Sequence, residues 1–146
     1  FYKRRDYSVI VNGKNPIVAH EFLGTSLEGK DTIIVDDMIA SGESMLHVCK
    51  QVKERGANRV FICTTFGLFT EGLDLFDKAY SEGMFDLIIT TDLTYQTPAL
   101  LEKKWYASAN LNKYIANIIY AINHDVSLDP IIDNTNKINK LMKKLH

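Results

Sequence analysis

The sequence is poor in the features that mark several common chemistries. Of its 146 residues only two are cysteines, Cys49 and Cys63, and neither has a partner at metal-ligand spacing. Both are expected as buried, reduced thiols, Cys49 on the apolar face of a helix and Cys63 inside a strand. An excess of charge of either sign is also missing. Seventeen Lys and Arg against 18 Asp and Glu give a formal net charge of -1, so no global field would draw nucleic acid or an acidic membrane. No apolar run approaches the length of a membrane span and no secretory signal is visible, which makes a cytoplasmic protein the default. Gly29-Lys30 lacks the upstream glycine of a P-loop, and no GxGxxG is present. His20, His47, His124 and His146 are scattered and read as structural or surface residues. Internal repeats and low-complexity segments are absent. The chain opens on Phe1 rather than Met, and is expected to be a fragment, or the ordered part, of something longer.

What is present is organised around residues 32–44, TIIVDDMIASGES. Residues 32–35 are rich in β-branched side chains and predict a buried strand. Asp36 and Asp37 follow at its end, then a small loop carries Ser41, Gly42 and Ser44, and the apolar spacing from Met45 predicts a helix. Ligands of parallel α/β sheets sit outside the carboxyl ends of strands, and a helix start offers unpaired N–H groups to an anion. Two adjacent like charges resist burial and need water, donors or a cation around them. A vicinal diol supplies donors and a hydrated Mg²⁺ supplies charge. Such a stretch suits a ligand with hydroxyls at one end and a phosphate at the other. The plainer alternatives are a solvated acid pair favoured by the helix dipole and a helix capped by Ser41 or Ser44.

The flanks fit one α/β layer arrangement. Residues 1–12 hold the basic run Lys3-Arg4-Arg5, show no sustained period, and read as a loop. Residues 17–23 predict a strand. After the motif, Met45, Leu46, Cys49, Val52 and Lys53 fall at helical spacing up to Gly56, which suits a left-handed stop. Residues 59–65 and 85–90 predict strands buried on both faces, separated by a short helix over 73–80. Residues 105–109 predict a last strand, with Trp105 and Tyr106 as core or interface rather than a base-stacking platform. Residues 114–122 predict a helix with Ile115, Ile118, Ile119 and Ile122 inward, and 134–146 an added helix on the surface or at a subunit contact. Alternating strands and helices imply an α/β fold with a mostly parallel sheet flanked by helices. One core is expected over residues 1–125, followed by a helical tail over 126–146.

Two acids, two apolar positions and a small Ser-Gly loop, with the basic run ahead, the lead-in EGKDTIIVDDMI and the Gly-Ala-then-strand pattern over residues 56–65, together resemble the ribose-phosphate pyrophosphokinases, which have the type I phosphoribosyltransferase fold. The likeness runs from about residue 3 to about 124 and is that of a C-terminal part, truncated at its N-terminus. It implies transfer of the diphosphoryl group of ATP to ribose 5-phosphate, with Mg²⁺ as cofactor and a homo-oligomeric assembly. By the same resemblance, Asp36 and Asp37 hold the ribose hydroxyls with Mg²⁺ nearby. Ala40, Ser41, Gly42, Glu43 and Ser44 form the 5-phosphate loop, and Lys3 and Arg5 are the catalytic cations. The alternative for Lys3 and Arg5 is a solvated terminal charge run. Three positions depart from the family pattern: Ala40 stands where Asp is usual, Glu43 where Gly is, and Phe66 where His is. Thr64, Thr65 and Gly67 match the end of a family strand. Thr90, Thr91 and Asp92 end the next strand on the same edge and read as crevice lining or as turn formers. A chain without the upstream ATP site is expected to be inactive alone. A base phosphoribosyltransferase, which would need a hood segment over the base, and a non-catalytic synthetase-like subunit are the other two readings.

Overall fold

The computed structural model describes residues 2–5, 17–21, 24 and 26–144. Two segments, β1 (Tyr2–Arg5) and β2 (Ile17–Glu21), pair antiparallel, with Lys3 opposite His20, Arg4 opposite Ala19 and Arg5 opposite Ile17. The basic run expected as a loop is therefore a strand. Its ladder satisfies the backbone groups through a partner more than ten residues away, a pairing that local periodicity does not register.

The main sheet has the order β3 (Thr32–Ile39), β4 (Val60–Gly67), β5 (Leu87–Thr91), β6 (Tyr106–Ala109), and β3, β4 and β5 are parallel. Helix α1 (Glu43–Glu54) connects β3 to β4, and α2 (Asp74–Ser81) connects β4 to β5. Because these strands are neighbours in sequence order, right-handed crossovers put both helices on one face of the sheet. Met45, Leu46, Cys49 and Val52 of α1 and Phe76 and Ala79 of α2 join Val60, Ile62 and Ile88 in a single core. Each fully buried Val, Ile or Phe there contributes about 1.5–3 kcal/mol of transfer free energy. Gly56 ends the first helix region at φ +83, as its position after residue 55 predicts. Burial pushes the Cys49 thiol up to about 12, so it stays protonated; Cys63 is only half-buried.

The strand expected to be buried differs from its expectation. It runs on to Ile39, it contains the two acids, and Ile33 and Val35 are 64% and 77% exposed. Register places Ile33 beside Phe61 and Leu87, and Val35 beside Cys63 and Ile89, on the face turned away from Val60, Ile62 and Ile88. β-Branched character marks a residue that fits a pleated surface, and burial of that surface is decided elsewhere. The strand expected over 59–65 likewise alternates between buried Val60, Ile62 and Thr64 and half-buried Phe61 and Cys63.

A one-turn helix, α3 (Pro98–Leu101), precedes β6 and was not expected; Thr97 caps it by accepting from the Leu100 N–H at 3.2 Å. Trp105 and Tyr106 are core residues, 2% and 8% exposed. The chain divides into two compact units, Phe1–Ser108 and Ala109–His146. The second unit holds α4 (Asn112–Asn123), α5 (Asp129–Ile132) and α6 (Thr135–Met142). In α4 the inward assignment stands for Ile115 and Ile118, both half-buried, and is corrected for Ile119 and Ile122, which are 54% and 63% exposed. With Ala121 at 1% exposure, the less exposed stripe runs Tyr114, Ile115, Ile118, Ala121. Tyr114, Ile118 and Ala121 form a helical i, i+4, i+7 arc, and Ile119 lies about 100° round from Ile118. The residues of α6 are exposed.

Candidate functional site

Strand β3 carries Asp36 and Asp37 to the carboxyl edge of the sheet. Each carboxylate uses one oxygen locally: Asp36 Oδ1 accepts from the Asp37 N–H at 2.9 Å, and Asp37 Oδ1 accepts from the Met38 N–H at 2.8 Å. The second oxygen of each remains, on exposed residues. Those hard oxygen donors suit a diol or a hydrated Mg²⁺. Among the described residues no three His, Cys, Asp or Glu side chains converge on one point. A cation here would thus draw most of its coordination from water and ligand oxygens, the usual habit of Mg²⁺.

Residues 40–42 turn the chain from β3 into α1. Ala40 is exposed, Ser41 half-buried and Gly42 buried. Gly42 is the N-cap, at φ 92 and ψ -19, and its carbonyl accepts the Leu46 N–H at 2.9 Å. The expected alternative of a Ser41 or Ser44 cap is therefore corrected: the cap residue has no side chain, and Ser44 lies inside the first turn. A left-handed cap is open to glycine at no steric cost. It leaves the positive end of α1 with no capping side chain on its N-cap, a geometry that receives anions. Glu43 is exposed and lines a cleft of about 320 Å³ between α1 and α2, together with Leu46, His47, Lys50, Lys78 and Glu82.

The carboxyl ends of β4 and β5 form the adjoining edge. Register puts Asp36 beside Thr64, and Thr64 beside Thr90. Thr64 and Thr90 are 6% and 1% exposed, so they are structural. The Thr90 hydroxyl lies 2.6 Å from the Tyr106 hydroxyl, which also accepts from Gln96 Nε2 at 2.8 Å. Thr91 donates to the Thr65 carbonyl at 2.6 Å, bracing one strand end against the next. Of the trio expected either to line the crevice or to form a turn, Thr90 and Thr91 are thus braces. Phe66, in the position where the family pattern has His, is half-buried. Lys3 and Arg5 are placed on β1; their side chains, and His146, lie outside the described residues.

Sequence reasoning missed Phe69, Phe76 and Gln96. Phe69 has φ 47, one of two non-glycine residues with positive φ among the described residues, and the Phe76 ring occupies the space where a Gly42 Cβ would stand. The only sequence sign of either was the pair of glycines, Gly67 and Gly72, around the loop after β4.

Comparison with known proteins sets this geometry among relatives. The ribose-phosphate pyrophosphokinase of Shewanella oneidensis is 27% identical over 108 residues, covering 74% of this chain and 33% of that protein. Ribose-phosphate pyrophosphokinases of Ureaplasma parvum and Pyrococcus furiosus are 33% identical over 88 residues and 37% identical over 57, covering 60% and 38% of this chain and 26% and 20% of those proteins. The chain thus spans about a third or less of the length of the relatives it matches. The crystal structure of phosphoribosylpyrophosphate synthetase from Mycobacterium smegmatis superposes with a TM-score of 0.60 at 23% identity, covering 77% of this chain and 34% of that one. That likeness establishes the phosphoribosyltransferase type of α/β fold. The model of the phosphoribosyl transferase domain matches residues 3–90, more than half of the 146, and the chain belongs to that family.

Proposed function

We propose that this chain forms the ribose 5-phosphate-binding part of a ribose-phosphate diphosphokinase. The observation that carries the reading is the acid pair on the carboxyl end of β3, followed within a few residues by an α1 N-terminus capped by left-handed Gly42. The relatives' names agree with it. In this reading Asp36 and Asp37 accept hydrogen bonds from the ribose 2- and 3-hydroxyls. The loop of Ala40, Ser41, Gly42, Glu43 and Ser44 surrounds the 5-phosphate with backbone N–H groups and serine hydroxyls. The anomeric hydroxyl oxygen attacks the β-phosphorus of ATP, the hydroxyl proton is released, and AMP leaves, giving phosphoribosyl diphosphate. Negative charge gathers on the phosphoryl oxygens in that step, and Lys3 and Arg5 stabilise it as cations. Asp36 and Asp37 would hold a Mg²⁺ bound with the nucleotide, which would supply positive charge to the phosphates.

In this reading the Glu43 side chain turns toward the α1–α2 cleft, which it lines with His47, Lys50, Lys78 and Glu82, and away from the phosphate. The same proposal includes a phosphoribosyltransferase-like domain over residues 1–125 with a helical tail over 126–146, a cytoplasmic location and a homo-oligomeric parent.

Isothermal titration of the chain with ribose 5-phosphate and Mg²⁺ tests the site, beside Asp36→Ala/Asp37→Ala. Binding that weakens at least about tenfold in the double variant is the expected result, since two charged hydrogen bonds of about 1.5–3 kcal/mol each are removed. Equal binding by both proteins would remove the acids from the site.

A further inference from the structure

Resting on the ribose-phosphate reading above, we propose that Phe69 and Phe76 are positioning residues that fix the height and direction of the phosphate loop. Two independent contacts reach that loop from the segment after β4. The backbone supplies the first. The Leu68 N–H donates to the Ile39 carbonyl at 2.8 Å, the Phe69 N–H to the same oxygen at 3.4 Å, and the Thr70 N–H to the Ala40 carbonyl at 3.0 Å. The two carbonyls that begin the loop are therefore held by the segment containing Phe69. Aromatic rings supply the second. A Cβ at Gly42 would stand 2.1 Å from Phe76 Cζ, so the N-cap rests directly on that ring. Phe76 is fully buried, T-shaped against Phe69 at 5.0 Å between centroids and stacked on Trp105 at 5.8 Å.

Phe69 joins the two contacts, and its backbone shows what holds it. A non-glycine residue in the left-handed region costs about 1–2 kcal/mol. Such an outlier persists where its surroundings over-determine it, and it clusters at functional sites. Here the ring is 9% exposed and packs against Phe76, Trp105 and Tyr106. Burial of the ring keeps φ positive, the positive φ turns the three N–H groups toward Ile39 and Ala40, and the neighbouring ring sets the floor under Gly42. Anion affinity at backbone N–H groups depends on their convergence, as catalysis depends on alignment, where a misplacement near 1 Å costs up to about a hundredfold in rate.

The test compares Phe69→Asn, which tolerates the left-handed conformation but lacks the ring, and Phe76→Leu with Leu100→Ala, a core variant on α3 that belongs to neither contact. All are measured where thermal melts show them folded. Two readouts are taken: amide hydrogen exchange at residues 40–46 and 68–70, and the dissociation constant for ribose 5-phosphate with Mg²⁺. The expected result is faster exchange at those amides, unchanged exchange at Ile62, and roughly tenfold weaker binding in both Phe variants. Leu100→Ala should lower the melting temperature with neither effect. Unchanged exchange in Phe69→Asn would overturn the proposal whether or not ligand binds, as would faster exchange with unchanged affinity. Faster exchange in a chain whose unmodified form binds no ribose 5-phosphate would keep the positioning role and overturn the ribose-phosphate reading instead.

Discussion

Gly42 is the residue on which the site's geometry turns. Its φ of 92 is open to glycine, and any Cβ would meet the Phe76 ring. Gly42→Ala therefore combines backbone strain of about 1–2 kcal/mol with overpacking of about 1–3 kcal/mol. Urea unfolding should show a loss of roughly 2–5 kcal/mol, with the slope of the transition unchanged. A loss below about 0.5 kcal/mol would mean that the loop and ring separate easily, contrary to their contact. The glycine itself was legible in the sequence as part of a small loop before a helix. The ring beneath it was not, because Phe76 lies 34 positions later and reads locally as one apolar residue of a short helix.

At the scale of elements, side-chain hydrogen bonds join the carboxyl ends of β4 and β5 to β6 and the segment before it. Tyr106 on β6 meets Thr90 on β5, Gln96 links the Tyr106 hydroxyl to the Thr91 carbonyl at 3.1 Å, and Ser108 donates to Gln96 Oε1 at 2.9 Å. Tyr106→Phe keeps the ring and removes the shared oxygen. Because Thr90 is buried, the expected cost is about 1–2 kcal/mol, measured by chemical denaturation. An unchanged midpoint would show that water replaces the hydroxyl there. Apart from β1 and α3, the strands and helices of this unit followed from period and β-branching, with boundaries moved by a few residues. The face each presents did not follow: in β3 the same β-branched run that predicted burial leaves Ile33 and Val35 in the open.

Across the whole first unit, Asp77 on α2 ties the helix layer to the segment entering β6. Its carboxylate accepts from Lys103 Nζ at 2.5 Å and from Trp105 Nε1 at 2.8 Å, and these two partners, Lys103 first, hold its carboxyl below the ordinary value of 3.8. A depressed folded-state value contributes stability that is fully present above the ordinary carboxylate range and is lost as pH falls through the lower, folded value. The stability difference between the unmodified chain and Asp77→Asn should be constant near neutral pH and shrink below about pH 4 in denaturation measured against pH. A difference independent of pH down to 2 would assign the tie to the Trp105 bond alone. The side chains of this pair are partly exposed, so the effect is modest. The sequence by itself determined the α/β class, the parallel crossovers, and the acid pair and glycine loop, because these rest on local periodicity, backbone permissiveness and the spacing of a few residues. Only the tertiary structure decided that residues 2–5 are a strand, which face of β3 is bare, and which aromatic rings support the loop. Those outcomes depend on pairing and packing between residues far apart in the chain, which local pattern does not encode.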